Sequence, residues 1–190
     1  MCSAIYQNAL SAGRVSAVVP TRGDVDLGPI VRHLASYPQI GDIFVVVGGT
    51  PFNRYRVMAQ SARTDVVFTQ DDDCITDLAP VLAAYEPGII VNAMTPEHAA
   101  NYPGRQTLLG FGSIFDRAMV AALDGWEHDA LFLREADRVF TALHPHKSVY
   151  PKIEILPYAH APNRMYRQPD HAAARDSINR RILERTGIVA

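Results

Sequence analysis

The chain alternates. Apolar runs rich in Val and Ile occupy 14–23 ("RVSAVVPTRG"), 40–49, 65–70 and 88–94, and the stretches between them carry helical spacing. In 24–38, Leu27, Ile30, Val31 and Leu34 fall on one helical face, and Pro38 is placed to end it. A second helix is expected over 78–87, and 53–63 is polar with weak helical character. Short apolar strands separated by helices predict an α/β fold with a mostly parallel sheet and helices on both faces. The second half is less regular. It predicts a strand, a glycine turn and a helix over 107–125, a helix over 131–145, a strand over 148–158 and a terminal helix over 171–187. In that last helix Asp170 is a candidate cap and Gly187 a stop. With 190 residues, 48% of them hydrophobic, the chain predicts one compact domain.

Charge and cysteine content narrow the function classes. The formal net charge of −2 favours neither nucleic acid nor an anionic membrane. No stretch approaches a membrane span, and the first residues lack a basic segment leading into an apolar core, so a cytoplasmic protein is expected. Cys2 and Cys74 offer no disulfide framework. The terminal segment from Arg164 to Arg185 is locally basic.

The third apolar run ends in "TQDDDCIT". Three adjacent carboxylates repel one another, so a strand end that gathers them needs a cation or open solvent. In open α/β sheets ligands bind beyond the carboxyl ends of the strands, where Asp71, Asp72 and Asp73 would stand. Carboxylates suit hard ions such as Mg2+ or Mn2+, which take further oxygens from a substrate's phosphates. A metal–diphosphate site follows. The plainer alternative is a solvated acidic turn with Asp73 or Asp77 capping the next helix.

The flanking sequence adds to this. "NRYRVMAQSARTDVVFTQDDDCI" (53–75) resembles the Asn-Arg-aromatic to three-aspartate segment of exostosin-like glycosyltransferases. "VVPTRGDVDLGPIVRHL" (18–34) resembles their first strand, nucleotide loop and helix, and "LLGFGSIFDR" (108–117) their glycine-containing acceptor-side strand. "ADRVFTALHPHKSVYPKIEI" (136–155) is similar to the segment with their Glu-Asp pair, and "DHAAARDSINRRILERTG" (170–187) to their His-x-x-x-Arg ending. The pair itself departs: here it reads Ala136-Asp137, with Glu135 displaced by one position. The family's disulfide cysteines are missing, and the chain is shorter than these catalytic domains.

This resemblance implies a GT-A fold, with a nucleotide-binding half over about 14–95 and a catalytic and acceptor half over about 105–190. It implies a metal-dependent glycosyltransferase of the hexosyl or N-acetylhexosaminyl type, using a nucleotide-sugar donor, a UDP-sugar with retention. Asp73 would ligate Mn2+ or Mg2+, Asp72 would meet the ribose, and Asp71 would support the donor sugar or metal shell. Thr21, Arg22, Asn53 and Arg54 would flank the nucleotide, and His171 and Arg175, four apart on one helix face, would reach the diphosphate. Asp137 would act at the reacting carbon; the alternative is a surface Asp paired with Arg134 or Arg138. His160 is a weaker metal candidate, and 161–169, with Tyr166, a candidate closing loop. The acceptor stays open: a glycan, protein, lipid-linked sugar, small molecule or modified nucleic-acid base. The rival readings are a nucleotidyltransferase of sugar phosphates, weakened by the single glycine in "VPTRGDVD", and a nucleotide-sugar-binding protein that has lost turnover.

Overall fold

The computed structural model describes residues 10–100, 102, 106–160 and 165–189, without the side chains of 158, 160 and 166. Its centre is a six-stranded sheet in the order β2-β1-β3-β6-β5-β7. The strands are β1 (Val15–Thr21), β2 (Ile40–Val47), β3 (Val66–Thr69), β5 (Ile90–Ala93), β6 (Ser113–Asp116) and β7 (His146–Val149). β1 runs parallel to β2 and β3, and β5 parallel to β7. β6 is antiparallel to both of its neighbours, so the sheet is mixed. A small second sheet pairs β4 (Cys74–Thr76) with β8 (Ile153–Ile155).

Side chains alternate between two apolar layers, as the period of a strand requires. In β1, Val18 joins one layer while Val15, Ala17 and Val19 join the other; in β3, Val67 and Phe68 divide the same way. The first layer is covered by α2 (Phe52–Ser61), α5 (Ala130–Leu143) and α6 (His171–Thr186), through Tyr55, Met58, Phe132, Val139, Ile178 and Ile182. The second is covered by α1 (Gly28–Ala35) and α3 (Leu78–Ala83), through Ile30, Leu34, Leu78 and Val81. A short α4 (Pro96–Ala99) follows β5.

Several expectations are corrected. Among the described residues β2 is an edge strand, paired with β1 alone, and its Val45 and Val47 are 41% and 68% exposed. An unbroken apolar run such as "IFVVV" reads as a strand buried on both faces, yet here it is covered on one face only. In 107–125 the order differs: the strand follows the glycines, and a 3-10 helix at Arg117–Leu123 replaces the α-helix. Gly112 sits at φ +122, where a Cβ would come within 3.1 Å of the Phe68 ring, and β6 starts directly after it. The single strand expected over 148–158 is two, β7 and β8, in different sheets. α1 stops at Ala35, before Pro38, and Asp170 makes no capping bond; it pairs with Arg134 instead. Gly187 does end α6, at φ 71.

Candidate functional site

Parallel strands end together. β1, β2 and β3 therefore bring Thr21 and Arg22, the loop Gly48-Gly49-Thr50-Pro51, and Asp71, Asp72 and Asp73 to one edge of the sheet. There they line a cleft of about 600 Å³. A second wall is built from α5 and α6, with Arg134, Glu135, Asp137, Arg138, His171 and Arg175. Tyr102, Thr107–Gly110, Met165 and Gln168 complete the lining. Among the lining residues, five carboxylates face five guanidiniums, so the cleft can take a ligand carrying both cationic and anionic parts.

The strand-end wall is positioned by backbone. Gly48 and Gly49 at φ 74 and 80 turn the chain from β2 into α2. The Asp71 amide donates to the Gly110 carbonyl at 2.8 Å, and the Leu156 amide donates to the Asp73 carbonyl at 2.8 Å. Gly110 leaves the space that the Asp71 carboxylate fills: a Cβ there would lie 2.3 Å from Oδ2. Asp72 is buried. Asp77 caps α3 by accepting from the Ala79 amide at 3.1 Å, so the capping role and the strand-end cluster belong to different aspartates.

The helical wall depends on a kink. Residues two apart on a regular helix point roughly 200° apart, so Glu135 and Asp137 should not share a face. Glu135 has non-helical torsions, φ −107 and ψ 20. This break lets 134, 135, 137 and 138 all line the cleft while Ala136 packs into the core. Asp137 does not pair with Arg134 or Arg138. It accepts from the Tyr55 hydroxyl at 2.7 Å and lies 3.3 Å from Arg54 Nη2. Arg134 and Arg138 turn to Glu135, at 3.3 and 4.0 Å. Arg138 also bonds Gln106 and Asn179, and Arg134 bonds Asp170.

Burial raises the pKa of Asp137, held back by Arg54 and by the Tyr55 hydrogen bond and raised further by Asp71. Burial also raises Glu135, against the pull of Arg134 and Arg175. Burial lowers His171, and Arg134 lowers it further. His171 Nδ1 is buried and makes no hydrogen bond to a described residue.

The structure thus brings together most of the residues expected from sequence: Thr21, Arg22, Arg54, Asp71, Asp72, Asp73, Asp137, His171 and Arg175 all line the cleft. Arg22 also pairs with Asp24 at 2.8 Å, and Arg175 lies 5.9 Å from the Tyr102 ring. Asn53 is not among the lining residues; its amide donates to the Gly48 carbonyl and its oxygen accepts from Arg56. The side chains of His160 and Tyr166, and residues 161–164 of the expected closing loop, lie outside the described residues, as does Cys2. Sequence reasoning gave Tyr55 no role, although the aromatic of the "NRY" triplet was its signal. Gly110 was equally missed; its signal was the glycine pair in "LLGFG".

Among the described residues, no three His, Cys, Asp or Glu side chains group to cage a metal by themselves. Mg2+ and Mn2+ do not require that; one or two carboxylates, water and substrate phosphates satisfy them. Asp73 and Asp71 both face the cleft, and Gly110 keeps room for the Asp71 carboxylate, so this oxygen donor set fits a hard divalent ion.

No protein-family model and no curated protein sequence matches the chain. Solved structures do. A mannosyltransferase from Pyrobaculum calidifontis, in complex with GDP-Man and Mn2+, aligns with TM-score 0.57 at 14% identity over 88% of this chain. This chain covers 64% of that protein's length. TarS 1–349 of S. aureus, in complex with UDP-GlcNAc, aligns with TM-score 0.49 at 14% identity over 90% of this chain and 66% of that one. A protein described as a glucose-1-phosphate thymidylyltransferase of Bacillus anthracis, in complex with a sucrose, gives 0.40 at 12% identity over 84% and 76%. The first of these likenesses, at TM-score 0.57 and 14% identity, shows a shared fold. Among the described residues no helix is long and apolar enough to cross a membrane. The chain is a single α/β domain of the GT-A type, with its cleft at the carboxyl ends of β1, β2 and β3.

Proposed function

We propose that this cleft transfers a sugar from a nucleotide sugar to an acceptor, with Mg2+ or Mn2+ held at Asp73. One observation carries the reading: the strand-end aspartates and Asp137 face one cleft, with Asp71 and Asp137 joined through a single arginine. Thr21, Arg22 and the Gly48–Pro51 loop flank the nucleotide, and Asp72 takes the ribose. Asp73, supported by Asp71, would hold a divalent ion, which would supply Lewis acidity to neutralise charge on the leaving diphosphate. Arg175 and His171 approach that diphosphate from α6, and Arg175 stabilises its charge through a planar fork of donors. Asp71 and Asp137 meet the donor sugar. Asp137, held by Tyr55 and Arg54, stabilises positive charge developing at the reacting carbon.

The exostosin-like branch, a UDP donor and retention of configuration rest on the sequence resemblance. The structural neighbour above carries GDP-Man, so the test compares both nucleotides. Purified protein is incubated with UDP-sugars or GDP-Man, Mn2+ and a panel of acceptors, and the products are analysed. Free nucleoside diphosphate with a glycoside, or with free sugar when no acceptor is present, is the expected result. In a parallel incubation with nucleoside triphosphates and sugar 1-phosphates, release of pyrophosphate with formation of a nucleotide sugar would replace this reading with nucleotidyl transfer. Binding without turnover would replace it with a nucleotide-sugar-binding role.

A further inference from the structure

Arg54 is an unusual group to find at the bottom of a ligand cleft. Its side chain is 4% exposed, whereas those of Asp71 and Asp137 are 38% and 29% exposed. Its Nη2 is 2.7 Å from Asp71 and 3.3 Å from Asp137. Nε and Nη1 are buried and make no hydrogen bond to a described residue. The guanidinium therefore lies behind the two carboxylates, which are what the cleft presents to a ligand. Burial works against its charge, but Asp137 and Asp71 more than restore it.

We propose that Arg54 is a positioning residue and not a donor contact: it clamps Asp71 and Asp137 from behind, so that the metal end and the sugar end of the site move as one unit. The inference rests on the transferase reading for the roles of those two carboxylates. Its physical basis stands apart from that reading. Asp71 sits just beyond the end of β3 and Asp137 on α5, elements far apart in sequence that both line the cleft. Two anions brought that close repel, and a buried cation between them fixes their separation. Tyr55, next in sequence, completes the clamp: its ring packs in the core 5.0 Å from Phe140 while its hydroxyl reaches Asp137. The Asn-Arg-Tyr triplet thus places a clamp where α2 passes under the cleft.

The groups facing Asp137 are Arg54 and Tyr55 from α2, Asp71 from the end of β3, Tyr102 from its loop, and Glu135 on its own helix. Of these Arg54 is the cation that opposes the effects of burial and of Asp71. Removing it should raise the proton affinity of Asp137 roughly tenfold or more, the usual effect of a neighbouring arginine.

The test has two parts. In the first, the Asp137 carboxyl is titrated by carbon-13 NMR in wild type and in Arg54→Lys, which keeps a charge but cannot fork, and in Arg54→Met. The clamp predicts a small rise for Lys and the roughly tenfold or greater rise for Met; an unchanged Asp137 overturns it. If Arg54→Met does not fold, the double variant Arg54→Met/Asp137→Asn decides. It should regain denaturant stability, because it removes a carboxylate left buried without its cation. No gain overturns the clamp. Neither measurement needs a nucleotide, so a failed clamp and a failed transferase reading are distinguishable. In the second part, Arg54→Lys is compared with wild type for nucleoside diphosphate affinity and donor turnover, with Mg2+ present. Affinity within about threefold and turnover reduced about a hundredfold are expected, the cost of misplacing catalytic groups by an ångström or so. Equal losses in both would make Arg54 a donor contact and overturn the proposal.

Discussion

The two walls of the cleft are built by different means. On the strand-end wall the backbone does the placing: parallel strands stop at one edge, two glycines turn the chain, and hydrogen bonds from main-chain amides fix the carbonyls of Gly110 and Asp73. On the helical wall side chains do it. Glu135 is held between two arginines at a kink, Arg134 reaches Asp170, Arg138 reaches Asn179, and Arg181 ties α6 to Asp129 at 2.7 Å. The first wall should tolerate changes in surrounding side chains. The second should depend on each ion pair. Arg54 belongs to neither wall and joins them.

The largest effect should come from breaking the helical wall at its reacting end. Asp137→Asn keeps size and most hydrogen bonding but loses the charge. Nucleoside diphosphate affinity should stay as in wild type while turnover falls about a hundredfold or more, the signature of an interaction made mainly in the transition state. Donor hydrolysis paired with nucleotide titration checks this, and wild-type turnover would leave Asp137 as a structural partner of Arg54 and Tyr55 with no part in the chemistry.

On the strand-end wall the sensitive position has no side chain. Gly110→Ala puts a Cβ onto Asp71 Oδ2, and the carboxylate must leave its place beside Arg54. Turnover should fall about tenfold or more, with the far-ultraviolet circular dichroism of wild type. Unchanged kinetics would show that the position of Asp71 is not critical.

A smaller effect sharpens the contrast between capping and binding among the clustered aspartates. Asp77→Ala removes the α3 cap and should cost about 1 kcal/mol by denaturant titration while leaving nucleotide affinity alone. A loss of affinity would mean that Asp77 belongs to the site.

The smallest is a slope. The folded pKa of Glu135 is raised by burial, so its stabilising contribution is complete below the ordinary carboxylate range and is lost as pH rises through the raised value. Gln cannot ionise. Glu135→Gln should therefore gain stability relative to wild type as pH rises from the ordinary carboxylate range. A constant difference would show that its arginine neighbours offset the burial of Glu135 in full.

This contrast also explains what was legible in the sequence. Strand ends are announced locally: an apolar run that stops in "QDDD" places three carboxylates beyond a sheet edge before any contact is known. The helix periods of α1 and α6 were readable for the same reason. The kink at Glu135 was not, because nothing in "LFLREADRVF" breaks a helix. It is visible only as the set of neighbours that α5 must face. Without the kink, Ala136-Asp137 looks like a departure from a Glu-Asp pair; with it, Glu135 and Asp137 share the cleft. The edge position of β2 was hidden too, since "IFVVV" satisfies a buried strand while pairing decides which strand lies outermost. Helical spacing offered the arginines of α5 only as alternative partners of Asp137, and two residues of a different helix, Arg54 and Tyr55, reach it instead.

In the proposed function the strand-end aspartates gather a metal and a diphosphate. Calorimetric titration of UDP and of GDP, each with and without Mn2+, into wild type and Asp73→Ala tests this most directly. Asp73 contributes a strand-end carboxylate and little packing, so the variant should fold normally. Metal-dependent binding of one nucleotide to wild type, lost in Asp73→Ala, is the predicted result. The same metal-dependent affinity in both proteins, or no binding to wild type, would contradict it.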